Sequence, residues 1–580
     1  AIQVYIAMDS NLNVYRNTLE ILILRDTSNW YTSRCNQQLN SLDCPEYLLQ
    51  TEADIAAESQ RISDLFHPSS RDKLLDVVRE CMLIKRQQEI LRRPTGVLKL
   101  LQLAQIDALA RLYNLYAPCG HASLVNICDI VREYISNKGS DILAQAREAG
   151  GNQGEAVVKS LLGLHERCYK LVEGPFQGSP LFHKALKEAF ENVVNHRVRD
   201  VSIGEMLAER MHNLLKKGGA SKGLTPQQLQ KELNALIALF LYVADKDQFA
   251  EFYRNDLAMR LLHNRTASMD TERIVIGKLK FSCGAQYTSK IEGMITDAKN
   301  AAEVSERFNK WMRKRRHQQR IATPNEKHQQ LIYDQGGDFS VRILTSGFWP
   351  SQPEEHVRLP KTVTATLAEF EKYYEKSFGK RRLKWIHSLA SVTIEGNFRN
   401  RSYEFSVNGF QACVLIAINQ HPNGVSILEL TKQTLLPPAV MKRVLLCLVL
   451  KSKLLSKKPA KDYRVTDIIA PNPNFSSSQR RLRIPSHIIA KDSKTKSRKA
   501  MIDAVSEDRK GALESAIVRV LKIRKKIKHR DLIQQVTSLI ATRNQFRPDP
   551  RQIKQSIESL MSREYLERDT SIEDGYRYLA

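Results

Sequence analysis

The first candidate for catalytic chemistry is a serine between two glycines. Gly219, Ser221 and Gly223 have the spacing of a nucleophile elbow, in which a tight turn presents a serine hydroxyl for acyl transfer. Such an elbow requires a strand before the serine and a helix directly after it. Residues 212–217 instead have the pattern of a helix, and the residues around the serine are polar. We therefore interpret the match as accidental.

The histidines and cysteines do not form a catalytic or metal-binding pattern. His263, His387 and His529 are widely separated, and Cys283 has no histidine near it in the sequence. The sequence contains no GxxxxGK phosphate loop and no HExxH motif. Its nine cysteines include no CxxC pair, so we expect no metal and no cofactor. A chain of 580 residues without a catalytic set indicates a scaffold rather than an enzyme.

One lysine stands where a covalent modification could occur. In a helix predicted over residues 510–526, apolar residues recur at the spacing of one buried face. These residues are Leu513, Ala516, Ile517, Val520 and Leu521. At about 100° per residue, Lys522 lies opposite the centre of that face and is predicted to point into solvent. An exposed lysine amine suits an isopeptide modification, although an ordinary surface lysine has the same pattern.

The composition excludes several classes of protein. The chain has 89 Lys+Arg against 63 Asp+Glu, a net charge of +26, and 42% hydrophobic residues, which is enough for packed cores. The longest apolar run, residues 235–244, is shorter than the roughly 18 residues of a membrane span, so we expect no membrane contact. An odd number of cysteines without a signal peptide predicts reduced thiols and a cytoplasmic or nuclear protein.

Much of the positive charge is concentrated in one stretch. Residues 480–530 contain 17 Lys+Arg and 5 Asp+Glu, an excess of 17 − 5 = 12. This pattern is typical of nucleic-acid binding, but it also fits a docking surface for an acidic protein. A third interpretation is a solvated linker over Lys491–Lys499. Composition alone leaves these three interpretations open.

Most of the first 330 residues are predicted to form helices. Ser179 and Pro180 begin one apolar stripe, and Thr225 and Gln228 predict a capping box around a helix that begins at Pro226. The predicted units are helical repeats over residues 1–110 and 111–222 and a helical bundle over residues 223–335.

Strands are predicted farther along the chain, in a region that we place at residues 336–412. Apolar residues alternate with polar ones around Phe339–Leu344, and the same period recurs around Leu383–Trp385 and Tyr403–Val407. These three segments predict a small mixed sheet.

Two compact modules are predicted to follow. Residues 413–500 contain two helices separated by Pro437 and Pro438, then a ribbon and the basic linker. Residues 501–580 contain the lysine helix, two further helices and two closing strands. Two helices joined by a short turn and followed by a β-ribbon are typical of a winged-helix fold.

Several segments in this order resemble the cullin family. They are DKDQFAEFY at 245–253, KLKFSCG at 278–284, YTSKIEGM at 287–294, LTSGFWP at 344–350, IVRVLKIRK at 517–525 and YRYLA at 576–580. The resemblance implies a mainly α fold. Its parts would be elongated cullin helical repeats, a helical bundle, a small α/β sheet region and C-terminal winged-helix modules.

The resemblance also implies a function, that of the scaffold of a multisubunit ubiquitin ligase. A strand of a RING-box protein would join the central sheet, a ubiquitin-conjugating enzyme would be positioned near the substrate, and Lys522 would receive a Nedd-type ubiquitin-like modifier. The residues implied to bind the RING-box protein are Phe339, Val341, Ile343, Leu344, Leu383, Trp385, Tyr403, Phe405 and Val407. Arg254 and Arg260 would belong to a basic groove for the conjugating enzyme's acidic tail.

Further expectations concern the N-terminal repeat and the alternative functions. Cullins usually begin with an additional helical repeat that binds an adaptor and its substrate receptor, and this sequence is expected to start after that repeat. A short cullin that sequesters RING partners is therefore an alternative. A winged-helix nucleic-acid-binding protein is the alternative from another class, although the motif match makes nucleic acid a poor candidate partner.

Overall fold

The computed structural model describes most of the chain. The described residues are 12–149, 153–322, 339–351, 356–379, 381–398, 401–459, 463–485, 491–541, 546–569 and 574–579. The chain divides into two compact units. The first contains residues 1–214, 219–249 and 530–551, and the second contains residues 215–218, 250–529 and 552–580.

The first unit is built almost entirely from helices. Up to residue 240, its α-helices are α1 (Ile21–Ser41, preceded by a π-helical stretch at Tyr15–Glu20), α2 (Cys44–Leu65), α3 (Arg71–Arg79), α4 (Gln87–Leu91), α5 (Val97–Leu103), α6 (Ile106–Tyr116), α7 (His121–Glu148), α8 (Gly154–Glu173), α9 (Pro180–Val194), α10 (Ile203–Leu215) and α11 (Pro226–Phe240). A two-stranded ribbon, β1 (Arg197–Val198) and β2 (Val201–Ser202), lies between α9 and α10.

Local signals explain where these helices begin. Thr225 accepts a hydrogen bond from Gln228 N, and the Gln228 side chain accepts one from Thr225 N, so the predicted capping box of α11 is confirmed. The apolar stripe predicted after Ser179 is confirmed as the buried face of α9. The serine between two glycines follows helix α10 and a turn instead of a strand, which agrees with an accidental elbow match.

Three long helices open the second unit. They are α12 (Lys246–Leu262), α13 (Met269–Cys283) and α14 (Ala285–Ala322). The end of the predicted helical bundle, 323–335, lies outside the described residues. After an irregular segment that includes residues 339–351, helix α15 (Lys361–Ser377) packs against α14.

A three-stranded sheet lies beside the next helix. Strand β4 (Arg401–Asn408) pairs antiparallel with β3 (Ser391–Phe398) and parallel with β8 (Arg481–Arg483), so β4 is the central strand. One face of β4 packs on α16 (Gly409–Asn419), whose first turn is closed by a capping box between Asn408 and Gln411.

The first predicted winged-helix module is confirmed in its element order. Strand β5 (Val425–Ser426) leads into α17 (Ile427–Thr434) and α18 (Pro438–Leu446), and β6 (Leu455–Lys458) and β7 (Ile468–Pro471) form the ribbon. The sheet order is β5-β7-β6.

The last module repeats this plan. Helix α19 (Lys491–Arg524) precedes β9 (Lys526–Lys528), α20 (His529–Ala541), α21 (Pro550–Ser562), β10 (Leu566–Asp569) and β11 (Gly575–Tyr578), with sheet order β10-β11-β9. The interpretation of Lys491–Lys499 as a linker is wrong, because this segment is the first part of α19. Lysine and arginine are good helix formers, so a basic run can extend a helix.

No single helix in the described part of the chain is long and apolar enough to cross a membrane, although one bent helix pair, Ile427–Thr434 with Pro438–Lys451, passes by length and composition. The same residues contain no group of three or more side chains arranged to hold a metal ion.

Candidate modification and partner-binding sites

Lys522 is exposed near the end of α19. All five residues of the predicted apolar stripe are at most 5% exposed, so the helix is anchored by the side opposite the lysine. Other lysines near it have contacts within the module. Lys526 pairs with Asp569 at 2.8 Å, and the Lys525 amine lies 5.6 Å from the centre of the Tyr578 ring. No described residue forms an ion pair with Lys522.

A partly buried carboxylate helps to hold the lysine helix in place. Glu514 on α19 forms an ion pair with Arg563 and accepts a hydrogen bond from Ser559 on α21 at 3.1 Å. Partial burial disfavours the charged carboxylate, but the hydrogen bonds from Arg563 and Ser559, together with the positive charges of Arg563 and Lys510, hold the pKa of Glu514 below its ordinary value.

The segment around residues 339–344 forms part of an aromatic cluster rather than a sheet. Its odd-numbered residues Phe339, Val341 and Ile343 pack with Phe308 of α14 and Phe370 of α15. The ring centres of Phe308 and Phe339 are 5.7 Å apart. Ser340 and Arg342 are exposed, so burial alternates with the period of a strand. Leu344 is half-buried and lies outside the cluster.

Helix α14 holds this segment through polar side chains. Ser305 Oγ accepts a hydrogen bond from Val341 N at 3.1 Å and lies 3.0 Å from Val341 O, to which it can donate. The carboxylate of Asp297 accepts hydrogen bonds from Thr345 N at 2.8 Å and from Trp349 Nε1 at 2.9 Å. These residues were not predicted from the sequence.

Two predicted strands are wrong. Residues 339–344 and 383–385 are not paired with any described strand. Leu383 and Trp385 still pack in the same aromatic cluster as Phe339, and Trp385 Nε1 donates to Glu371 at 2.6 Å. Alternation of apolar residues predicts burial of one face, but a strand also needs a neighbour for its backbone, which here is missing from the described residues.

The third predicted strand is confirmed but its role changes. Tyr403, Phe405 and Val407 lie on β4, and each is 3% exposed in a core shared with α16. Both edges of β4 are already paired, with β3 and β8. A partner strand therefore has no free edge on β4, and these three side chains belong to the core instead of a binding surface.

Comparison with known proteins gives matches along the chain in order. The Cullin alpha solenoid domain matches residues 1–305, the Cullin alpha+beta domain matches residues 343–475, and the Cullin protein neddylation domain matches residues 508–571. Cullin-2 of Arabidopsis thaliana is 33% identical over 98% of this chain and 75% of that protein. Cullin-1 of Oryza sativa subsp. japonica is 32% identical over the same shares, and Cullin-3A of Arabidopsis thaliana is 30% identical over 99% and 75%.

The chain belongs to the cullin family.

The predicted fold class is thereby confirmed, since the mainly helical chain with a small sheet region follows the cullin architecture. A cullin with a neddylation domain has the role of a scaffold in a cullin-RING ubiquitin ligase. Lys522 lies inside the matched neddylation domain.

The predicted basic groove of this cullin needs correction. Arg260 has no exposed side-chain surface and forms an ion pair with Glu272, which is also fully buried. Arg254 is 15% exposed at its side chain and pairs with Glu251 at 2.8 Å. Neither arginine is placed to receive an acidic tail from solvent. Arg260 follows Phe249, Tyr253 and Leu257 at helical spacing, and this position on an apolar stripe indicates a buried residue.

The sequence also contained a signal for the residues of α14 that hold the segment. Gly293, Asp297, Ala301 and Ser305 recur every four residues, which places them on one face of the helix. A face of small and short polar residues leaves room for a chain to approach closely.

Proposed function

We propose that this cullin is a non-catalytic scaffold that binds a RING-box protein along residues 340–344 and carries a Nedd-type modifier on Lys522. The observation that carries the first part is the backbone of that segment. Val341 N donates to Ser305 Oγ, and Val341 O lies 3.0 Å from the same hydroxyl, which is also 2.9 Å from Ala301 O. By contrast, no described residue is hydrogen-bonded to the N–H or C=O of Arg342 or Leu344.

An open backbone edge is what strand addition requires. In an extended chain, consecutive residues direct their N–H and C=O groups to opposite edges. The edge that contains Val341 faces α14, so the edge that contains Arg342 and Leu344 faces away from it. A strand from a partner would gain affinity from main-chain hydrogen bonds there and specificity from alternate side chains. The aromatic cluster provides a rigid base for it.

The second part of the proposal rests on the exposure of Lys522. Its helix is fixed by five buried apolar residues and by Glu514, so the backbone at Lys522 is held in place while its flexible side chain extends into solvent. A modifying enzyme can then reach the amine without unfolding the module.

The other partners follow from the scaffold role. We propose that the ubiquitin-conjugating enzyme is brought by the RING-box protein and does not use Arg254 or Arg260. We propose an adaptor and a substrate receptor as further partners of the scaffold; this chain spans 75% of Cullin-2 of Arabidopsis thaliana. We also propose a cytoplasmic or nuclear location, where the nine free cysteines would stay reduced.

A pair of substitutions at one position tests strand addition. Leu344→Pro removes an N–H from the open edge, whereas Leu344→Ala keeps it and loses a similar part of the side chain. After co-expression with a RING-box protein, the wild type and L344A are expected to co-purify with it and L344P to lose most of the partner. Equal recovery with both variants, or no recovery with the wild type, would contradict the proposal.

A further inference from the structure

The segment after residue 338 runs antiparallel along α14. Phe339 contacts Phe308, Val341 contacts Ser305, Thr345 contacts Asp297, and Phe348 lies over Gly293. Residue numbers rise along the segment while those of the contacted helix residues fall. Each contact comes from the same face of the helix.

The spacing of two contacts shows that the segment is extended between them. From Asp297 to Ser305 the helix rises eight residues, which is about 12 Å at 1.5 Å per residue. From Val341 to Thr345 the segment advances four residues, which is about 13 Å in a strand. The two lengths agree, so α14 holds the segment at a strand's length.

The contacts with α14 also alternate along the segment as they would in a strand. Val341 and Thr345 are both odd-numbered, and their N–H groups both donate to α14. In an extended chain such residues share one edge, and the even-numbered residues between them share the other edge. Ser305 and Asp297 thus occupy the place that a neighbouring strand would have on the inner edge.

The C-terminus of α12 holds the side chain of Arg342, which lies between Val341 and Thr345 in the segment. Arg342 Nη1 donates to Leu261 O at 2.9 Å and to Leu262 O at 2.8 Å, and its Nη2 donates to Asn264 at 2.9 Å. This guanidinium caps the C-terminus of α12. The segment is therefore held on its inner edge and on both side-chain faces, and its outer edge remains for a partner.

We infer that Ser305 and Asp297 are positioning residues that keep residues 340–344 in strand geometry before a RING-box strand binds. The inference rests on the proposed strand addition. Without these two residues the segment would have to become ordered during binding, and only the ordered fraction of molecules would be competent. The association rate constant would fall by that fraction, while the dissociation rate constant would change little.

Two variants at Ser305 distinguish the effect of losing the hydroxyl from the effect of changing the shape of the side chain. Ser305→Thr keeps a hydroxyl, and Ser305→Val has the shape of threonine without it. With purified full chain and RING-box protein, we expect the association rate constant to fall about tenfold in S305V and to stay within about twofold of wild type in S305T. Asp297→Leu, which has a similar size but no acceptor for the N–H groups of Thr345 and Trp349, is expected to behave like S305V. Equal rates in S305V, D297L and wild type would overturn the inference.

Hydrogen exchange on the unbound wild-type chain tests the same inference without any variant. The amides of Val341 and Thr345 are expected to exchange slowly, and those of Arg342 and Leu344 to exchange fast until the RING-box protein is added. Uniform fast exchange in the free chain would overturn the positioning role. A wild-type chain that shows this alternation yet never binds the RING-box protein would instead overturn the proposed function.

Discussion

Arg260 and Glu272 form an ion pair that has no contact with solvent. Arg260 Nε donates to Glu272 Oε1 at 2.7 Å and Nη2 donates to Oε2 at 3.1 Å, joining α12 to α13. The Tyr253 hydroxyl donates to the same carboxylate at 3.0 Å, and the guanidinium lies 5.4 Å from the Tyr253 ring centre. Burial raises the pKa of Tyr253 well above its ordinary value, as does the neighbouring carboxylate, so this tyrosine stays protonated. The three side chains form a buried cluster that joins α12 to α13.

Removing one charge from this cluster is expected to destabilise the second unit strongly. Glu272→Gln removes the carboxylate charge that pairs with the buried guanidinium, at a cost of about 3–5 kcal/mol. Arg273→Ala is the control, because it breaks a surface pair with Asp270 that is worth at most about 1 kcal/mol. Thermal unfolding of the purified chain measures both. A midpoint for E272Q as high as that of R273A would contradict the structural role.

The close approach of residues 345–349 to α14 gives a second prediction, at Gly293. A Cβ at this position would overlap the ring of Phe348, so Gly293→Ala is expected to cost about 1–3 kcal/mol from overpacking. The control is Gly277→Ala on α13, where the added Cβ meets no atom within 4 Å and is expected to stabilise the helix by up to about 1 kcal/mol. Opposite shifts in unfolding midpoint support this packing, and a stabilised G293A would contradict it.

The parts of the structure that could be predicted are those that depend on neighbours in sequence. The buried face of α19, which is opposite Lys522, follows from helical spacing alone, and the start of α11 follows from Thr225, Pro226 and Gln228. Each of these signals spans fewer than ten residues.

The parts that could not be predicted depend on distant residues. The backbone of residues 339–344 is held by Ser305, 36 residues from Val341, and not by a neighbouring strand among the described residues. The pairing of Tyr403's strand depends on Arg481–Arg483, more than 70 residues later. Alternation of apolar residues indicates which face of the segment is buried, but it does not indicate which residues form hydrogen bonds with the backbone.

A pair of isoleucines tests whether α19 is anchored as described. Ile517 is 0% exposed and Ile523 is 72% exposed on the same helix. Ile517→Ala is expected to destabilise the last module by about 2–5 kcal/mol, and Ile523→Ala by less than about 0.5 kcal/mol. Hydrogen exchange of α19 amides measures the difference. Equal protection in both variants would contradict the assigned buried face.

Glu514 predicts how the last module responds to acid. Because the folded-state pKa of Glu514 is lowered, its contribution to stability is fully present above the unfolded value of about 4.3 and is lost as the pH falls through the lower folded value. Wild type should therefore unfold at a higher temperature than Glu514→Gln at pH 6, and the two should converge toward pH 3. A difference that stays constant across this range would contradict the ion pair with Arg563.

Mapping the isopeptide bond decides whether Lys522 is the attachment point for the modifier on this scaffold. The chain would be modified in the presence of a RING-box protein, digested and sequenced by mass spectrometry, together with Lys522→Arg and the control Lys528→Arg. We predict a single modified residue, Lys522, in the wild type and K528R, and no modification in K522R. Modification of K522R, or attachment spread over Lys525, Lys526 and Lys528, would contradict the claim.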